Sequence, residues 1–194
     1  MPNKTVNPLA AGDNVSLGSF EPPRVLVVDD NPANLAVFEA ILADPGFELV
    51  SAQSGVEAMR HLLNADFAAI LLDMNMPTMD GIQTAQLVRE RERSRDVPII
   101  FITAYQPDQK QILAGYASGA VDYLVKPVSP EVLKSKVRIF VDLFRKTRQI
   151  EWQARQLRAT NARLQREVAH REEAQRDAAF EREERQRVTL ASIA

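Results

Sequence analysis

No cysteine occurs anywhere in the 194-residue chain. That excludes disulfides, thiolate metal sites and thiol nucleophiles. Nor is there an apolar run long enough to span a bilayer. The amino-terminus lacks a basic segment followed by an apolar stretch, so no secretory signal is expected. Charge of neither sign dominates: 24 Lys and Arg stand against 26 Asp and Glu, a formal net charge of −2. A general affinity for nucleic acid or acidic substrates is therefore not expected. A cytoplasmic protein of one compact domain plus an extension fits these bounds. After Pro130 the chain has neither glycine nor proline through to Ala194, so nothing there punctuates a helix.

Residues 1–23 are rich in Pro, Asn, Gly and Ser without periodicity, and are expected to form a flexible leader. Apolar runs then alternate with helical patterns. Arg24–Val28 reads as a buried strand ending at Asp29-Asp30. Asn31-Pro32 starts a helix, with Asn as N-cap, an apolar face of Leu35, Phe38, Ile41 and Leu42, and a stop at Pro45-Gly46. Phe47–Ala52 is a second strand, and Ser54 with Glu57 reads as a capping box opening the second helix. Ala68–Leu72 is a third strand ending at Asp73, followed by a loop, Met74 to Asp80, expected to be mobile. Asp80-Gly81 opens a third helix bearing Ile82, Ala85, Leu87 and Val88. Pro98–Ile102 is a fourth strand ending at Thr103. A fourth helix covers Ile112–Ala117, and Asp122–Val125 is a fifth strand ending at Lys126-Pro127. Ser129-Pro130 starts the last helix. The alternation predicts an α/β fold with a five-stranded parallel sheet, doubly wound and covered on both faces.

In such sheets ligands bind at the carboxyl ends of the strands. Asp29, Asp30, Asp73, Thr103 and Lys126 all belong to that edge. Mg²⁺ prefers oxygen ligands, and these aspartates supply two or three carboxylates for it. Asp73 ends the central strand and is the candidate nucleophile toward a phosphoryl group. Lys126 and the Thr103 hydroxyl are placed to meet the phosphoryl oxygens. Each residue has an ordinary reading when taken alone: Asp29 and Asp30 as acids before a helix N-terminus, Lys126 as a surface ammonium. Their coincidence at matching strand ends is what favours chemistry.

Taken together the motifs resemble the response-regulator receiver domain of two-component signalling. The residues are the acidic pair Asp29-Asp30, the stretch Leu72-Asp73-Met74-Asn75-Met76-Pro77 with Asp80-Gly81, then Thr103-Ala104, and Tyr123 ahead of Lys126-Pro127. The resemblance covers about Arg24 to Phe144. It implies a flavodoxin-like fold and phosphorylation of Asp73. It implies Mg²⁺ held by Asp30, Asp73 and the Asn75 backbone carbonyl, with Asp29 acting mostly through water. Thr103 and Lys126 would hold the phosphoryl oxygens. Tyr123 would be the aromatic that turns inward when Thr103 moves, although a static half-buried strand residue is the alternative. The Lys126–Pro127 bond would be cis. The phosphodonor would be a histidine kinase or a phosphotransfer protein. The receiver itself is expected to be no enzyme beyond its own phosphorylation and dephosphorylation.

The last helix runs on. Phe140, Thr147, Ala154, Asn161, Val168 and Gln175 recur every seven residues, as do Leu143, Ile150, Leu157 and Leu164. These are a and d positions of a coiled coil. A helix from Pro130 to about Val188 would be roughly 90 Å long and needs a partner helix. Asn161 at an a position favours two parallel strands in register, so a homodimer is expected. Beyond Val168 the seam weakens at Arg171 and Gln175. The expected layout is a leader (1–23), a receiver (24–144), a coiled-coil signalling helix (145–188) and the start of a downstream module (189–194). That stretch weakly resembles the entry to a PAS domain, and receivers fused this way occur in hybrid histidine kinases and cyclic-dinucleotide enzymes. Two other classes compete: a dimerising scaffold with a non-switching receiver, and a phosphatase-like hydrolase, which the absence of a second Asp two residues after Asp73 argues against. His170 lacks the sequence context of a kinase histidine and reads as a solvated helix position, and His61 has no evident partner. Tyr105 is balanced between shielding the site and ordinary loop surface.

Overall fold

A computed structural model describes residues 21–44, 46–104 and 120–191. The expected leader up to residue 20, Pro45, Tyr105, the fourth helix at Ile112–Ala117 and the last residues, 192–194, lie outside the described residues. In chain order the elements are β1 (Arg24–Val28), α1 (Pro32–Leu42), β2 (Glu48–Ala52), α2 (Gly55–Asn64), β3 (Ala69–Asp73), α3 (Gly81–Glu90), β4 (Ile99–Thr103), β5 (Ala120–Val125) and α4 (Pro130–Ala191). The strands form one parallel sheet in the order β2-β1-β3-β4-β5. This is the doubly wound, flavodoxin-like arrangement that the alternation of runs predicts.

The winding explains where a ligand can sit. From β1 the chain crosses to β2 on one side, then returns past β1 to β3 on the other. Right-handed crossovers therefore put α1 on one face and α2 and α3 on the opposite face. The direction reverses between β1 and β3, which opens a crevice at their carboxyl ends. Val28 pairs with Leu72, Asp73 with Ile102 and Thr103 with Val125. Those registers bring the polar residues that follow each apolar run onto a single edge.

The core follows from strand alternation. Leu26, Val28, Ile70, Leu72, Ile99 and Phe101 pack with Ala58, Met59 and Leu62 of α2 and Ala85 and Val88 of α3. Val25, Val27, Leu71, Ile100 and Ile102, also fully buried, point to the other face. There α1 buries Leu35, Phe38 and Leu42, and the first turns of α4 bury Leu133, Val137 and Val141. Between β4 and β5 the register shifts at Ile99/Ile100, where Val121 is passed over: Ile99 pairs with Ala120 and Ile100 with Asp122.

Helix starts match local chemistry, with two departures. Asn31 caps α1 by accepting the Ala33 N–H at 3.0 Å. Ser54 accepts the Glu57 N–H at 3.2 Å, but the Glu57 carboxylate takes the Gln53 N–H at 2.7 Å, one residue earlier than a reciprocal capping box requires. The reciprocal box is found instead at α3, between Asp80 and Gln83. In the loop after β3 two side chains pack inward. Met74 and Met76 are buried, and the Gly81 N–H donates to the Met74 carbonyl at 3.0 Å. Thr78 in this loop has φ 71°, the left-handed region that disfavours β-branched residues.

Contacts divide the chain into a compact unit ending at Asp142 and a second unit, Leu143–Ala194. Leu143, Ile150, Leu157, Leu164 and Val168 are all more than half exposed on the second unit. No helix among the described residues is long and apolar enough to cross a membrane.

Candidate functional site

Three carboxylates converge at the switch point. Asp29 extends β1 by one pairing, its N–H donating to the Ala52 carbonyl at 3.1 Å, and Asp73 is the last residue of β3. Both are buried, at 1% and 4% exposure, whereas Asp30 is exposed. One oxygen from each of the three lies within 4.8 Å of the others. Lys126, just past β5, crosses the edge of the sheet to reach the two buried ones. Its Nζ is 2.8 Å from Asp29 Oδ2 and 2.7 Å from Asp73 Oδ1. The Lys126 N–H donates to the Thr103 carbonyl at 2.7 Å, so Thr103 and Lys126 are fixed side by side. The Lys126–Pro127 peptide is cis.

Each buried carboxylate is further held. Asp29 Oδ1 accepts the Asn31 N–H at 3.0 Å, and the Asn34 side-chain amide donates to both Asp29 oxygens at 2.9 and 3.0 Å. Asp73 Oδ2 accepts the Asn75 N–H at 3.1 Å. Asn34 is the site residue that sequence reading missed. The available signal was an amide in the first turn of the helix that starts directly after the acidic pair.

The electrostatics follow from burial and charge. Burial pushes the Asp73 carboxyl above its usual range. The Lys126 ammonium opposes that rise, the Asp29 charge adds to it, and the Asn75 N–H counters it. For Lys126, burial disfavours the charge, but hydrogen bonds to Asp29 and Asp73 outweigh it and raise its pKa. Among the described residues, three carboxylates against one ammonium leave a formal excess of two negative charges. An all-oxygen donor set with that excess fits a hard divalent cation.

Tyr123 is half-buried. Its ring lies on that of its register partner Phe101, with centroids 5.5 Å apart and planes at 34°. Gly81 marks a close approach of backbone to backbone: a Cβ there would lie 2.4 Å from the Asp73 carbonyl oxygen and 2.8 Å from Met74 Cα. Asp73 is thus seated against the N-terminus of α3.

Comparison with known proteins decides the family. Residues 25–138, more than half of the chain, match the family described as the response regulator receiver domain. The chain belongs to that receiver family. Among its relatives, this receiver is 39% identical over 123 residues to the sensor protein GacS of Pseudomonas syringae pv. syringae, covering 61% of the chain but 13% of that protein. It is 35% identical to the chemotaxis protein CheY1 of Helicobacter pylori, over 60% of the chain and 94% of that protein. Among solved structures, the receiver domain of the sensor histidine kinase PA1611 from Pseudomonas aeruginosa PAO1, which has a magnesium ion coordinated in its active-site cleft, superposes with a TM-score of 0.56. It is 32% identical and covers 62% of this chain and 98% of that one. The chain spans only about an eighth of its sensor-kinase relatives. Receiver domains take phosphoryl groups from histidine kinases and bind Mg²⁺ in an acidic site; the cluster of Asp29, Asp30 and Asp73 has the oxygen donors for that ion.

Proposed function

We propose that this receiver accepts a phosphoryl group on Asp73 and passes the change to α4. The observation that carries the reading is the Lys126 ammonium shared by two buried carboxylates at neighbouring strand ends, Asp29 and Asp73. An aspartate so placed is held in position yet can exchange its ammonium partner for a phosphoryl group.

The phosphodonor is the phospho-imidazole of a histidine kinase or phosphotransfer protein, or a small acyl phosphate. In the first case an Asp73 oxygen forms a bond to phosphorus as the phosphorus–nitrogen bond breaks, and the imidazole leaves and takes up a proton. In-line transfer needs positive charge on the equatorial oxygens. Lys126 supplies it by releasing Asp73 Oδ1 while its bond to Asp29 keeps the ammonium at the site. The Thr103 hydroxyl donates to a second oxygen. Asp29, Asp30, Asp73 and the Asn75 carbonyl would hold Mg²⁺, which when bound offsets the charge of the transferring group.

Thr103 and Tyr123 then shift together, altering the face formed by β5 and the base of α4. In this reading residues 24–144 are the receiver, 145–188 form a parallel, dimeric coiled coil, and 189–194 begin a downstream module. The exposed Leu143, Ile150, Leu157, Leu164 and Val168 at heptad positions support a second copy as partner. The helix pair would relay the signal to an effector such as a hybrid kinase or cyclic-dinucleotide enzyme.

The test is incubation with acetyl phosphate and Mg²⁺, read on a phosphate-affinity gel. Parent protein shifts and Asp73→Asn does not. Equal uptake by the variant would overturn the assignment.

A further inference from the structure

The base of α4 is held by more than its apolar stripe. Leu133, Val137 and Val141 recur every fourth residue and are buried against the sheet. Lys136 and Arg138 flank Val137 and so project about 100° to either side of it. Both are paired with the receiver. Lys136 Nζ bonds Asp122 Oδ2 on β5, and Arg138 reaches Asp44 Oδ2, just past α1, at 3.0 Å. The two ion pairs thus flank the helix's buried stripe on opposite sides.

The two grips differ in what stands behind them. Asp44 also accepts the Gly46 N–H through Oδ1, at 2.7 Å, so that anchor belongs to the α1–β2 turn. Asp122 uses its other oxygen, Oδ1, to accept the N–H of Tyr123 at 2.8 Å. It therefore joins the backbone of Tyr123 directly to a cation on α4. Tyr123 in turn packs on Phe101 and lies three residues before Lys126.

We infer that the Asp122–Lys136 pair is the coupling between the strand carrying Tyr123 and the axial rotation of α4, with Arg138–Asp44 as the fixed pivot. The inference rests on the phosphorylation reading above and adds its route out of the site. Asp122 and Lys136 act as positioning residues: neither is among the groups that hold the phosphoryl or the metal.

The absence of cysteine allows clean labelling. Spin labels at Arg60→Cys on α2 and Gln149→Cys on α4, both exposed, report an intrachain distance when labelled chains are diluted with unlabelled ones. Mg²⁺ with beryllium fluoride serves as the phosphoryl probe, its binding followed by fluorine NMR. The parent is expected to bind the probe and change its distance distribution. Asp122→Asn and Lys136→Gln are each expected to bind it equally and lose that change. The exchanged pair, Asp122→Lys with Lys136→Asp, is expected to regain it. A full change in both single variants, or a parent that binds the probe without any change, overturns the coupling. A parent that does not bind the probe overturns the phosphorylation reading beneath it.

Discussion

Replacing Gly81 by alanine tests how Asp73, the proposed phospho-acceptor, is seated without touching any chemical group of the site. The added Cβ would stand 2.4 Å from the Asp73 carbonyl oxygen and 2.8 Å from Met74 Cα. Both are backbone atoms, so no side-chain rotation relieves the overlap. Reaching even 3.0 Å, the nearest approach that Cβ atoms show, takes a displacement of about 0.6 Å between the start of α3 and the end of β3. Overpacking of this kind costs about 1–3 kcal/mol. Weakening the Gly81 N–H bond to the Met74 carbonyl adds about 1 kcal/mol. A total of about 2–4 kcal/mol, at a urea m-value of about 2 kcal/mol/M, lowers the unfolding midpoint by about 1–2 M. The single tryptophan, Trp152, lies beyond the unit ending at Asp142, so protease resistance in urea is the better readout. Mg²⁺ affinity, by calorimetry, should fall as well, because Asp73 moves with the β3 end. Gly55→Ala is the control. Its Cβ would meet Met79 Sδ at 2.7 Å and, at 2.3 Å, the Thr84 hydroxyl, which is buried and bonded to the Asp80 carbonyl, so this variant should destabilise as well. It should leave Mg²⁺ binding intact, because the atoms it meets do not belong to the acidic cluster. A Gly81→Ala protein within about 0.5 kcal/mol of the parent would refute the argument.

Four further outcomes are expected. Because burial raises the Asp73 pKa above 3.8, the folded chain keeps that proton to higher pH than the unfolded chain. Its contribution to stability is full below that value and falls as pH rises through the raised one. Asp73→Asn escapes that fall, so without Mg²⁺ its stability relative to the parent should increase across the acid range, as read by chemical unfolding at several pH values; a flat difference would count against it. Mg²⁺ at about 100 times its Kd should stabilise the parent by about 2.7 kcal/mol and Asp73→Asn far less. Thr78→Gly should stabilise by about 0.5 kcal/mol, because relief of about 1–2 kcal/mol of left-handed strain exceeds the entropic cost of glycine; a loss of stability in urea would show that Thr78 is not strained. Single cysteines at Leu157 and Leu164 should each form disulfide-linked dimers, and failure at both would exclude the parallel pair.

The sheet was legible because its strands are short apolar runs bounded by turn residues, and because the acids, the hydroxyl and the ammonium of the site each follow such a run. Asp73 and Thr103 nonetheless belong to their strands, since backbone pairing continues one residue past the last apolar side chain. Asn34 was not legible: its role depends on how the first turn of α1 faces back to Asp29, and hydrophobic periodicity says nothing about that. Lys136 and Arg138 were hidden for a different reason. On a helix of mixed charge they read as solvated, and their partners lie 14 and 94 residues away. Glu57 shows the limit of a motif. The spacing from Ser54 was right, but the carboxylate had a choice of N–H groups and took that of Gln53.

The shifted register at the start of β5 has a consequence for where Lys126 sits. Val121 is the extra residue, and it lies upstream of Tyr123 and Lys126. A bulge absorbs one residue locally and restores the ladder beyond it. From Asp122 onward β5 runs in step with β4, as far as Thr103 opposite Val125. The one extra residue is therefore taken up at Val121, and Lys126 keeps its place beside the two aspartates. The reach of the ammonium is thus set by the part of β5 that runs in step with β4.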